Sequence, residues 1–166
     1  YTLELGEQYV GRRYDAYFSK IGVDKIQKHK DKIETLMSDI KGNLIIKEFP
    51  TGKATMSTIE AHIQKVKDMG IEPDLIIIDY VDLLSSKRKT VDRKGEIDDI
   101  YTSTKGLARE LDIPVWSVSQ VNRAGAKDNI VEGDKAAGSY DKIMITDVCI
   151  SLSRQRKDKV EGTGRF

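Results

Sequence analysis

Asp79 and Gln120 occupy positions that suit chemistry on a bound ligand. Asp79 closes the run Leu75-Ile-Ile-Ile78, four branched aliphatics bounded upstream by Pro73. Such a run suits a strand covered on both faces, as in a parallel sheet flanked by helices. Open α/β sheets bind their ligands at the carboxyl ends of their strands, and a carboxylate there can anchor the magnesium of a bound nucleotide. The plainer alternative is a buried strand whose closing aspartate caps the next element. Gln120 follows Val115-Trp-Ser-Val118 and would share a sheet edge with Asp79. A neutral amide at that edge can contact a γ-phosphate and report its loss to the chain behind it. That chain, Ala124 to Lys142, is rich in glycine and charge. On the alternative view Gln120 is a strand-end polar residue and the segment a surface connection.

These residues need a scaffold, and the periodicity supplies one. Val10, Tyr14, Tyr17, Phe18 and Ile21 predict a helix from about Glu7 to Lys20. Ile26, Ile33, Leu36, Met37 and Ile40 predict a second, ended by Gly42 as an αL cap. Leu44-Ile-Ile46 reads as a short strand. Ser57 or Thr58 is expected to cap a helix bearing Ile59, Ile63, Val66 and Met69, which Gly70 ends. Beyond the Leu75–Asp79 strand and a basic loop, Ile97, Ile100, Tyr101, Leu107, Ala108 and Leu111 form the stripe of another helix. Pro114–Ser119 and Asp147–Leu152 read as strands. Strands separated by helices of this length imply right-handed crossovers and a mainly parallel sheet.

Composition narrows the classes. The 166 residues suffice for one domain with an adequate core. Formal net charge is +1, from 28 basic and 27 acidic residues, so no global charge announces a partner. The single cysteine, Cys149, lies in the apolar run Val148-Cys-Ile150 and is expected to pack as a small hydrophobe. A disulfide framework is excluded, and a cytosolic compartment fits. No apolar segment approaches the roughly 20 residues that span a bilayer. Thr51-Gly-Lys-Ala-Thr55 imitates the end of a phosphate-binding loop, but Lys47 stands where the first glycine is needed and Ala54 where the magnesium-binding hydroxyl is needed. It reads as a strand-to-helix turn.

Five motifs occur in order: Tyr1-Thr-Leu-Glu-Leu5, Leu75-Ile-Ile-Ile-Asp-Tyr-Val-Asp-Leu-Leu84, the Lys105–Val115 passage, Ser119-Gln-Val-Asn-Arg123 and Gly138-Ser139. Together they resemble the C-terminal ATPase domain of DnaB-type replicative DNA helicases, in the form phages carry. The resemblance covers nearly all of residues 1–166. It implies a RecA-like three-layer α/β/α sandwich with a mainly parallel sheet. Residues 1–166 would form part of such a domain, with the phosphate-binding loop before Tyr1 and the basic finger that reaches a neighbouring subunit beyond Phe166.

The resemblance also implies roles. Glu4 matches the glutamate that activates the attacking water. Arg13, or equally Arg12, lies near the position where the family packs a basic side chain on the nucleotide base. Asp79 matches the magnesium-anchoring aspartate, and Gln120 the sensor. Arg123, Lys135, Gly138 and Ser139 fall in or beside the loop that touches the DNA backbone, where Lys135-Ala136 replaces the family's frequent Arg-Glu pair. ATP and Mg2+ are the implied cofactors. Single-stranded DNA, five further copies in a hexamer, and primase are the implied partners, in a bacterial or phage-infected cytoplasm. The parent would be an ATP-dependent helicase, and residues 1–166 alone would hydrolyse nothing.

Two basic clusters, Lys87-Arg-Lys89 with Arg93-Lys94, and Arg154, Arg156, Lys157 and Lys159, could neutralise DNA phosphates or simply be solvated loop charge. Two other functional classes share the pattern. One is a different RecA-fold ATPase, such as a recombinase or clock-type protein. The other is a non-catalytic DNA-binding or assembly module of the same fold.

Overall fold

A computed structural model describes residues 1–87, 92–120 and 141–152. Its helices are α1 (Glu7–Ser19), α2 (Lys30–Ser38), α3 (Met56–Asp68), α4 (Arg93–Leu111) and α5 (Asp141–Ile145). The strands are β1 (Ile76–Ile78) and β2 (Val115–Ser117). They pair in parallel, with Ile76 opposite Val115 and Ile78 opposite Ser117. On the other side of β1 the N-terminal segment runs parallel too, through bridges from Thr2 to Asp79 and from Thr2 to Glu48. The order across the sheet is therefore Glu48, Thr2, β1, β2. β1 is central, as the aliphatic run predicts.

The core lies on one face of this sheet. Ile76 and Ile78 pack with Leu3, with Ile59 and Ile63 of α3, and with Ile97, Ile100, Tyr101 and Leu107 of α4. The stripes expected on these two helices supply that contact except at Met69, which follows the end of α3 and is exposed. Strand alternation turns Ile77 and Trp116 the other way, and they are 43% and 55% exposed. Coverage of both faces, expected from the unbroken aliphatic run, is thus not met among the described residues. Among the described residues, α3 and α4 cover this part of the sheet from one side, so alternate residues stay out of the core.

Local chemistry sets the helix boundaries, with several corrections. α3 is capped by Thr55, not by Ser57 or Thr58. The Thr55 and Thr58 side chains each meet the other residue's backbone N–H, so Thr58 is the third residue of a capping box. α4 is capped by the Asp92 carboxylate, which accepts from Gly95 N–H at 2.8 Å, and closes at Asp112 in the left-handed region. At α1 the cap comes from elsewhere in the chain, because Glu48 Oε2 accepts from Glu7 N–H at 3.1 Å. A carboxylate on a helix N-terminus satisfies an orphan donor and favours the dipole.

The helix expected from Ile26 to Ile40 divides into a 3-10 turn at Ile26–Lys28 and α2, which stops at Ser38. Gly42, at φ +116°, lies beyond that end. Leu44–Ile46 is not a strand. The pairing falls later, where Thr2 N–H donates to Lys47 O and Phe49 N–H to Thr2 O, both at 3.0 Å. Asp147–Leu152 is irregular rather than a strand. Cys149 is exposed, not packed, because the segment around it joins neither the sheet nor the core.

Candidate nucleotide site

Parallel pairing sends every strand's carboxyl end to the same edge. Asp79 N–H donates to Tyr1 O and Leu3 N–H to Asp79 O, both at 2.9 Å. Glu4 therefore follows immediately beyond the residues that flank Asp79. On the other side Ser117 pairs with Ile78, so Gln120 lies three residues beyond β2 on the same edge. Asp79, held in register by its bridge to Thr2, lies on the face of Ile77, and Gln120 lies past the end of β2.

The Ser117 hydroxyl secures this end of the sheet. It donates to Ile78 O at 2.8 Å and accepts from Val81 N–H at 3.0 Å. The Asp79–Tyr80 peptide is cis. The Tyr80 phenol is pushed up from its ordinary value, first by burial and then by the charges of Glu4, Asp82 and Asp79. Glu4 and Gln120 are exposed and Asp79 half-buried.

Arg13 is not brought to this edge by any packing of its helix. It is exposed on α1, which packs on α2 and the turn at Ile26–Lys28. Arg12 lies over the Tyr9 ring at 5.9 Å. Arg123, Lys135, Gly138 and Ser139 lie outside the described residues. The Thr51–Lys53 turn, with Gly52 at φ +69°, precedes α3 without forming a phosphate loop. Its backbone is committed, since Gly52 N–H donates to Leu83 O at 3.1 Å and Gly52 O accepts from the Ser85 hydroxyl at 2.7 Å.

Among the described residues no group of three or more His, Cys, Asp or Glu side chains could hold a metal ion. That donor set still fits magnesium, which commonly takes one or two carboxylates and completes its shell with phosphate and water oxygens. Asp79 is the carboxylate so placed. A groove of about 510 Å³ lies elsewhere, between α4 and α5, lined by Thr102, Lys105, Arg109 and Asp147 among others. An ion pair between Lys105 and Asp147 lies within that lining.

One cluster at the strand ends has no counterpart in the sequence expectations. Asp82 Oδ1 accepts from the Tyr101 hydroxyl at 2.7 Å. Its Oδ2 accepts from Lys142 Nζ at 2.6 Å and from the Ser119 hydroxyl at 3.1 Å. Lys142 Nζ also donates to Ser119 Oγ at 3.1 Å. Burial and the Asp82 charge push the Tyr101 phenol far up. The four residues are scattered over 60 positions, and nothing in their local patterns marks them as partners.

A central parallel strand with α3 and α4 packed on it gives an α/β fold, and its likeness to solved structures makes that fold RecA-like. The solved structure of a DnaB-like replicative helicase, described with its interactions with primase, matches with a TM-score of 0.74 at 22% identity. That match covers 97% of this chain and 41% of the other. A second solved structure, of an ATPase domain, gives 0.73 at 21%, over 97% of this chain and 61% of the other.

The family described as DnaB-like helicase C terminal domain matches residues 1–130, and the chain belongs to it. The DnaB-like replicative helicase of Enterobacteria phage T4 is 27% identical over 138 residues, 74% of this chain and 28% of that protein. The replicative DNA helicase DnaB of Helicobacter pylori strain J99 is 36% identical over 69 residues, 42% of this chain and 14% of that protein. The matches thus span 28% of the length of the first of these relatives and 14% of the second. Membership favours the helicase family over recombinase-like or clock-type relatives. Among the described residues no helix is long and apolar enough to cross a membrane.

Proposed function

We infer that residues 1–166 are part of the motor domain of a hexameric replicative helicase that couples ATP hydrolysis to translocation on single-stranded DNA. The observation that supports this reading is that the chain carries Glu4, Asp79 and Gln120 where segments of a parallel sheet end, and belongs to the DnaB-like family. Glu4, exposed beyond the strand end, orients the attacking water and accepts its proton. Asp79 holds magnesium directly or through water, and the bound ion neutralises charge developing on the phosphates. Gln120 contacts the γ-phosphate through its amide.

Arg13 serves as the base-packing side chain, and Arg123, Lys135, Gly138 and Ser139 contact the DNA backbone. Primase, with which one structural relative is described as interacting, is a further partner of the whole protein. Residues 1–166 contain no complete G-x-x-x-x-G-K-[ST] loop, so the phosphate cradle comes from outside them, and residues 1–166 alone turn over no triphosphate. The test is steady-state ATP hydrolysis by the full-length protein with Mg2+, with and without single-stranded DNA. Hydrolysis that needs Mg2+ and rises with DNA supports the reading. Absence of hydrolysis under both conditions overturns it.

A further inference from the structure

Asp82 joins parts of the chain that lie far apart in sequence. It belongs to the turn Val81–Leu83, directly after the Asp79–Tyr80 segment. Tyr101 comes from the middle of α4, Ser119 from the chain just past β2, and Lys142 from the first turn of α5. The Lys142 side chain is 3% exposed and the Asp82 side chain 15%. A lysine so deeply buried, with a carboxylate oxygen at 2.6 Å, is held by specific bonds rather than by surface charge.

The same oxygen, Asp82 Oδ2, binds both Lys142 and Ser119. Ser119 is covalently adjacent to Gln120. A displacement of Gln120 therefore shifts Ser119 against Asp82 and Lys142, and with Lys142 the start of α5. In the other direction, the same bonds fix Gln120 relative to Asp79, three residues before Asp82.

We propose that Asp82, Lys142 and Ser119 form a clasp that positions Gln120 and couples the nucleotide state of the strand-end site to the affinity for single-stranded DNA. The inference rests on the helicase reading above and adds to it residues that touch neither nucleotide nor DNA. Coupling between two sites is measured as the factor by which one ligand changes affinity for the other.

The experiment uses the full-length protein. Its affinity for a single-stranded oligonucleotide is measured with a non-hydrolysable ATP analogue and with ADP, each with Mg2+. Two variants test the clasp. Ser119→Ala removes the link to β2 and leaves the ion pair. Asp82→Asn with Lys142→Met removes both charges of the pair together. The wild-type ratio of affinities is expected within the usual coupling range of about 5- to 150-fold. In both variants the ratio should fall toward one, with affinity in ADP changed by less than about twofold, because only the coupling is removed. A merely structural role would lower both affinities together and leave the ratio standing. An unchanged ratio in Ser119→Ala overturns the clasp, whatever the double variant does. A wild-type ratio of one overturns the helicase reading and the clasp with it.

Discussion

Replacing Lys142 by Met tests whether the buried pair contributes to stability as its geometry requires. The side chains are similar in length, so the main loss is the charge. Asp82 then keeps the Tyr101 hydroxyl at 2.7 Å and the Ser119 hydroxyl at 3.1 Å. Removing one partner of a buried pair costs roughly 3–5 kcal/mol. With two donors retained and 15% of its side chain exposed, Asp82 belongs at the lower end, about 3 kcal/mol. Asp82→Asn is worse, about 5 kcal/mol, because it removes the anionic partner of a lysine whose side chain is only 3% exposed. The double variant leaves no charge behind and should lie within about 1 kcal/mol of wild type, since neutral replacement of a buried pair is often tolerated. Urea unfolding measures all four proteins. At a slope of about 2 kcal/mol per molar, Lys142→Met lowers the midpoint by about 1.5 M. A midpoint shift below about 0.3 M, or a double variant as unstable as the sum of the singles, would refute the buried pair.

Two further outcomes follow from the core and from a histidine. Ile78 is fully buried between α3 and α4, and Ile78→Ala should cost about 2–5 kcal/mol in the same unfolding assay, whereas Ile77→Ala, at a 43% exposed position, should cost much less. His62 shares a hydrogen bond of 3.0 Å with the Tyr1 hydroxyl, and burial, then the Lys47 and Lys65 charges, hold its imidazole below the ordinary value. The neutral ring is the form the fold favours, so its contribution is complete above about pH 6.5 and lost as the pH falls below that. His62→Gln should flatten the acid side of the stability–pH curve, as followed by unfolding at about pH 5 and about pH 7.5.

The sequence made the framework legible where the pattern was self-contained. Ile59, Ile63 and Val66 on α3, and Ile97, Ile100 and Leu107 on α4, repeat at helical spacing and do form the buried stripes. The central place of β1 follows from a branched run that ends in Asp79. The boundaries were less legible because they depend on partners remote in the chain. α1 takes its cap from Glu48, and the pairing assigned to Leu44–Ile46 instead falls on residues 47–49, where Thr2 lies alongside. Cys149 illustrates the limit of an apolar neighbourhood in sequence, since Val148 and Ile150 are exposed beside it.

At the strand ends, Asp79 and Gln120 stand out in the sequence by position alone. Glu4 came only with the family resemblance, because one carboxylate in a short segment carries no signal of its own. The cluster of Asp82, Tyr101, Ser119 and Lys142 was not readable at all. Its members share no periodicity, and contacts over such separations exist only once the sheet has formed.

The most direct test of the motor assignment separates turnover from binding in the full-length protein. ATP hydrolysis and ATP affinity are measured, with Mg2+ and single-stranded DNA, for wild type, Glu4→Gln and Asp79→Asn. Glu4→Gln should abolish turnover and leave affinity nearly unchanged, because a water-orienting base adds little to ground-state binding. Asp79→Asn should weaken both, since the magnesium loses its anchor. Full turnover by Glu4→Gln, or an Asp79→Asn protein that binds and hydrolyses like wild type, would contradict the account.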